Sequence, residues 1–101
     1  MFWKGMKRMA EQVIITTMPR IDTVTAPKFE AEVKALFAEG TTDLVMDLEN
    51  TVYVSSAGLR VFLFAQKKVN AAGGSLVLRN VKPQIMEIFE VTGFSGILTF
   101  E

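Results

Sequence analysis

The sequence predicts an α/β fold: a small mixed or mostly parallel β-sheet flanked by about three to four α-helices, in a single domain spanning residues 1–101. Three observations predict it. Short β-branched, apolar runs alternate with longer segments of helical periodicity. The central run "DLVMDL" (43–48) is almost continuously apolar, as expected of a strand covered on both faces. Prolines and glycines mostly stand at the joints between these segments. Strands that alternate with helices of roughly 10–16 residues imply right-handed crossovers and a largely parallel sheet.

The elements follow in order. "QVIITTM" (12–18) is β-branched and bounded by Pro19, which predicts a strand. "TAPKFEAEVKALFAEG" (25–40) predicts a helix, with Thr25 able to cap its start, Pro27 in the first turn and Gly40 past its end. Phe29, Val33, Leu36 and Phe37 make one apolar stripe along it, and Glu30, Glu32, Lys34 and Glu39 a solvated side. After "DLVMDL" the chain passes Asn50 and "VYV" to reach Ser55 and Ser56. Ala57 to Ala72 has Leu59, Phe62, Leu63, Gln66 and Val69 at helical spacing, with Gly73–Gly74 ending the helix. "SLVLRN" (75–80) is a further strand, and "KPQIMEIFEVTG" (82–93) a helix that buries Ile85, Ile88 and Phe89. "GILTF" (96–100) closes as a last short strand, and Met46 and Met86 read as core filling.

The first residues, "MFWKGMKRMA" (1–10), read as a short edge strand or a frayed end. The other reading is a surface anchor, because Phe2 and Trp3 beside Lys4, Lys7 and Arg8 can touch a membrane interface. The segment lacks the apolar core of roughly 7–15 residues that a signal peptide needs. No apolar stretch approaches the ~20 residues of a membrane span, so a cytoplasmic protein is expected.

Composition narrows the function. Half of the residues are apolar and 22% are charged, which describes a globular domain. There is no cysteine and no histidine. Thiol nucleophiles, thiolate metal sites and Ser-His or Cys-His catalysis are therefore excluded. Eleven basic residues balance eleven acidic ones, which counts against direct nucleic-acid binding. No glycine-rich phosphate loop is present. Asp22, Asp47 and Glu49 offer carboxylates, but a cap, a turn hydrogen bond or a partner contact explains each more simply than a metal or acid/base role. Neither catalytic residues nor a metal or cofactor are expected.

In a parallel α/β sheet, ligands and partners meet the loops beyond the carboxyl ends of the strands. The turns at 18–25, 49–57 and 79–82 each follow a strand and precede a helix, so they are expected at one end. That places the Asp22 turn and the Ser55–Ser56 turn on a common surface. A serine where a strand becomes a helix can cap the first turn, which is worth about 1 kcal/mol. Two details run against a simple cap. Leu59 stands where a capping box would carry Glu, and Gly58 in the first turn costs about 1 kcal/mol of helix propensity. A small residue there is expected to leave the turn open to another molecule. The alternative reading is a phosphorylation switch. A helix N-terminus tolerates a phosphate, whereas a docking surface must desolvate or pair about −1.5 to −2 added charges. A cost of ~3–4 kcal/mol there lowers affinity about 100–1000-fold.

From about Glu11 to its end the chain resembles the STAS domain, the fold of the anti-sigma factor antagonists. The residues that carry the likeness are "VMDLEN" (45–50), "VSSAGLR" (54–60), "GGSLVLRNV" (73–81) and "IFEVTGF" (88–94). In that family the serine before the small-residue–Gly-Leu segment is phosphorylated by a partner kinase that is also an anti-sigma factor. Ala57-Gly58-Leu59 takes the place of the usual Ser-Gly-Leu, so the match assigns phosphorylation to Ser56, with Ser55 as runner-up where many members carry Asp. Asp22 in "PRID" (19–22) matches the family's Gly-x-Leu-Asp turn, with Pro19 in place of the glycine. The resemblance implies a partner-binding face of Asp22, Thr23, Ser55, Ser56, Gly58, Leu59 and Arg60.

It also implies partners: a serine/threonine kinase anti-sigma factor of histidine-kinase-like ATPase fold, and a protein phosphatase. The unphosphorylated protein, a monomer when free, would bind the kinase and release a sigma factor. Two other readings stand beside it. One is a non-phosphorylated scaffold subunit of a signalling or lipid-transport assembly. The other is a small enzyme or ligand carrier that uses Asp22, Asp47 and Ser56.

Overall fold

β-Branched Val13, Ile14 and Ile15 start the first strand, and Pro19, which has no N–H to donate, forces the chain out of it. The structure is a computed structural model that describes residues 12–101; the N-terminal segment expected as an edge strand or anchor lies outside the described residues. The elements are β1 (Val13–Thr16), β2 (Arg20–Ile21), α1 (Ala26–Ala38), β3 (Asp43–Asp47), β4 (Tyr53–Val54), α2 (Ser56–Ala72), β5 (Ser75–Arg79), α3 (Pro83–Val91), a 3-10 turn (Phe94–Gly96) and β6 (Thr99–Phe100). The main sheet has the order β1-β3-β5-β6, and every pairing among the described residues is parallel. The α/β expectation holds.

Each crossover steps the sheet in the same direction, and a constant crossover hand then puts the helices on one face. The core is consistent with that. Leu44, Met46, Leu76 and Leu78 of β3 and β5 form one cluster with Phe29 and Val33 of α1, Phe62 and Val69 of α2, and Ile85 and Phe89 of α3. Phe29 meets Phe62 edge-on at 5.4 Å between ring centres, Phe62 meets Phe89 at 5.5 Å, and Phe89 meets Phe100 at 5.5 Å. Four elements are thus linked by one run of aromatic contacts, a favoured geometry for such rings. On the other face Val45 is also buried, flanked in register by Ile14 and Val77. Met46 is core, as expected; Met86 is half-buried.

Five local expectations need correction. The strand expected over 12–18 ends at Thr16, and the loop expected over 18–25 contains β2. The "VYV" passage contains β4, which pairs with β2 in parallel, Arg20 opposite Tyr53 and Ile21 opposite Val54. Past Pro19 the chain changes partner, because the Val52 N–H donates to the Pro19 carbonyl at 2.8 Å. Thr25 does not cap α1 with its side chain. Its hydroxyl donates to the Arg20 carbonyl at 2.7 Å, and the capping acceptor is the Asp22 carboxylate instead. Finally, α2 begins one residue earlier than expected, at Ser56, and ends at Gly73, whose φ of 72° suits glycine.

Candidate functional site at the β2–β4 ribbon

The two turns expected on a common surface are brought together by the two-residue strands β2 and β4. Ile21 and Val54 are buried anchors, so the residues after them, Asp22 and Ser55, emerge side by side. The Ser55 N–H donates to the Ile21 carbonyl at 2.8 Å, which ties the second turn to the first.

Asp22 organises the first turn. Its Oδ1 accepts from the Val24 N–H at 3.0 Å and the Thr25 N–H at 3.1 Å, and its carbonyl accepts from the Ala26 N–H at 2.8 Å. The Arg20 Nε lies 3.4 Å from Oδ2. The Thr25 backbone N–H, aided by the Val24 N–H, the Thr25 hydroxyl and Arg20, holds the Asp22 carboxyl below its ordinary pKa against partial desolvation. Thr23, between these residues, is exposed.

The serines divide the work of the second turn. Ser55 is the N-cap of α2, with extended backbone (φ −93°, ψ 177°), and its Oγ accepts from the Gly58 N–H at 3.4 Å. Its carbonyl accepts from the Leu59 N–H at 2.9 Å. Ser56 is the first helical residue and is exposed, and among the described residues its hydroxyl makes no hydrogen bond. Ser55 is therefore occupied as a cap, and Ser56 is free.

Gly58 has a reason other than the expected opening toward another molecule. It is buried, and a Cβ built there would lie 2.7 Å from Ile21 Cγ2, 3.0 Å from the Ile21 carbonyl oxygen and 3.1 Å from Val54 Cγ1. The molecule that approaches closely is this chain's own ribbon. Leu59 is likewise core, at 8% exposure. Of the expected docking residues, these two seat the helix from beneath, while Thr23, Ser56 and Arg60 face outward.

Between the starts of α1 and α2 runs a shallow groove of about 290 Å³, lined by Thr23, Pro27 and Glu30 on one side and by Ala57 and Arg60 on the other. Three exposed apolar residues lie on the same turns: Val24 at 82%, Val52 at 49% and Tyr53 at 39%. The Arg20 guanidinium stacks 4.4 Å from the centre of the Tyr53 ring. Sequence reasoning missed Arg20, Val24, Val52 and Tyr53. Arg20 and Tyr53 meet only through the register of the β2–β4 pairing, which no periodicity announces.

Asp47 does not join the site. Its Oδ1 accepts from Asn80 at 3.1 Å and from the Glu49 N–H at 3.0 Å, and Oδ2 lies 3.4 Å from the Arg79 Nε. The Asn80 amide, then the Glu49 N–H, and Arg79 hold its carboxyl below the ordinary value. It latches the ends of β3 and β5, as a turn hydrogen bond would. Among the described residues no three acidic side chains come together to hold a metal, and no helix is long and apolar enough to cross a membrane.

The family model for the STAS domain matches residues 6–101. The chain belongs to the STAS domain family. BtrV of Bordetella bronchiseptica, whose name marks it as a candidate anti-sigma factor antagonist, is 40% identical to this STAS domain over 77 residues, which cover 76% of the chain and 66% of BtrV. The anti-sigma-B factor antagonist of Staphylococcus aureus is 31% identical over 78 residues, covering 77% of the chain and 72% of that protein. Among solved structures, the Bacillus cell fate determinant SpoIIAA in its phosphorylated form superimposes with a TM-score of 0.69 at 17% identity, over 89% of this STAS domain and 83% of SpoIIAA. At that identity the likeness is one of fold.

Proposed function

We propose that this STAS domain is an anti-sigma factor antagonist working by partner switching in the cytoplasm. In its unphosphorylated form it binds a serine-kinase anti-sigma factor and frees the sigma factor. Transfer of the ATP γ-phosphoryl group to the Ser56 Oγ ends that binding: a P–O bond forms at Ser56, the bond to ADP breaks, and the hydroxyl proton leaves to a base on the kinase. A phosphatase reverses the step by hydrolysis. The chain itself supplies the serine and the docking face, not the chemistry.

The observation that carries this reading is the exposed, uncommitted Ser56 hydroxyl beside a neighbour already engaged as the cap. The names of the Bordetella and Staphylococcus relatives support the antagonist role. Charge on the docking face explains the switch, since a phosphate there must be desolvated or paired when a partner docks. The docking face we assign comprises Asp22, Thr23, Ser55, Ser56 and Arg60, with Gly58 and Leu59 holding the helix in place beneath them. Incubation with the cognate kinase and ATP, followed by mass spectrometry, is expected to place one phosphate on Ser56. Loss of phosphorylation in Ser56→Ala, with Ser55→Ala still modified, supports the assignment; equal phosphorylation of Ser56→Ala overturns it.

A further inference from the structure

Three charged groups stand on the elements that meet at the start of α2: Asp22 on the turn after β2, Glu30 on α1 and Arg60 on α2, the last two lining the groove. Asp22 is engaged with Arg20 and its own turn, and Glu30 lies 3.2 Å from Lys34. Arg79 is engaged with Asp47. Arg60 differs from Arg20 and Arg79, because among the described residues it makes no ion pair. It is exposed and lines the groove one helical turn after Ser56. Residues four apart on a helix lie on the same face with Cβ atoms about 5–6 Å apart, well within the reach of an arginine.

We propose that Arg60 is an internal clamp for the phosphate on Ser56. This rests on Ser56 being the modified residue. Once phosphorylated, Ser56 carries three acceptor oxygens and close to two negative charges, and the planar guanidinium of Arg60 can donate two parallel N–H bonds to them. Two consequences follow from one contact. The phosphate is held on the domain by its own side chain and needs no arginine from a partner. The guanidinium also leaves the groove it lines beside Thr23 and Glu30, so the docking face loses a cation while it gains the phosphate. Modification then changes the shape and the charge of the groove together. The effect belongs to Arg60 and not to the helix start, because the first-turn N–H groups are the same whatever residue stands at 60.

The test uses full-length protein with phosphoserine installed at position 56 by genetic encoding, so it needs no kinase. Titration by phosphorus NMR at low salt reads the second phosphate ionisation. A salt-linked arginine favours the dianion and is expected to lower that pKa by about 0.15–0.4 of a unit relative to the Arg60→Gln protein. Arg60→Lys, which keeps the charge without the fork, should fall between the two, and the difference should shrink at about 1 M salt, where the screening length is ~3 Å. Circular dichroism should be alike in all three, since the side chain is exposed, and the thermal midpoints should agree within the few degrees (about 1–4 °C) that a pair of this strength is worth. The same phosphate pKa in the parent and Arg60→Gln proteins overturns the clamp. Failure of the kinase to modify Ser56 would instead overturn the function proposed above and leave the titration readable by itself.

Discussion

Replacing Gly58 with alanine sets two effects of opposite sign against each other in the first turn of α2. In an open helix the change would stabilise by about 1 kcal/mol through helix propensity. Here the new Cβ would meet Ile21 Cγ2 at 2.7 Å and the Ile21 carbonyl oxygen at 3.0 Å. Carbon atoms prefer separations of about 3.5–4.0 Å, so both contacts are repulsive. Neither neighbour yields easily. Ile21 is fully buried, and its carbonyl is held by the Ser55 N–H. Overpacking of this kind costs about 1–3 kcal/mol, and two fixed neighbours place it in the upper half of that range. After the propensity gain is subtracted, a net loss of ~1–2 kcal/mol remains. For a domain of this size that lowers the thermal midpoint by roughly 4–16 °C. Urea unfolding should show a lower midpoint with an unchanged slope, because the surface exposed on unfolding is nearly the same. Amide shifts in a heteronuclear NMR spectrum should move at Asp22–Thr25 and Ser55–Leu59 and stay put in α3. If Gly58→Ala is as stable as the parent or more so, the helix is not seated on the ribbon and the account of Gly58 fails.

Two further outcomes are expected. Ser55→Ala removes the acceptor for the Gly58 N–H and should cost about 0.5–1 kcal/mol in chemical denaturation, the lower part of the usual capping range because the bond is long at 3.4 Å. Acid unfolding should reveal Asp47: its folded pKa lies below the reference value of 3.8, so the stability it contributes is present above about pH 4 and is lost as pH falls through the folded value. Asp47→Asn should therefore show a shallower loss of stability below pH 4 than the parent protein, and an identical acid profile would refute the latch between β3 and β5.

Much of this was readable where one residue type repeats at one period. The stripe of Leu59, Phe62, Leu63, Gln66 and Val69 predicted the buried side of α2, and all but the half-buried Leu63 are buried. Even Gln66, the polar member, fits, with its amide donating to Asn70 at 3.0 Å. The run at 43–48 predicted the central strand because every side chain from Leu44 to Met46 is covered. What escaped was set by tertiary register. β2 and β4 have two residues each, too few for a period to show, yet they determine which side chains surround Ser56. Thr25 and Asp22 were both legitimate caps by composition, and only the turn's hydrogen bonds choose between them. Gly58 was noticed for the right reason, its lack of a side chain, but pairwise contact with Ile21 lies far beyond what local sequence can report.

The ribbon that presents the serines is held by backbone groups and by two buried side chains, Ile21 and Val54. Its outward residues, Arg20, Val24, Val52 and Tyr53, carry little of that framework and can be exchanged at small cost to folding. A cell that runs several such domains side by side needs each one to ignore the partners of the others. A frame that stays constant while its rim is rewritten lets duplicated copies drift apart in partner choice, with Ser56 kept in the same place. Insulation between parallel circuits is thus available from surface substitutions alone.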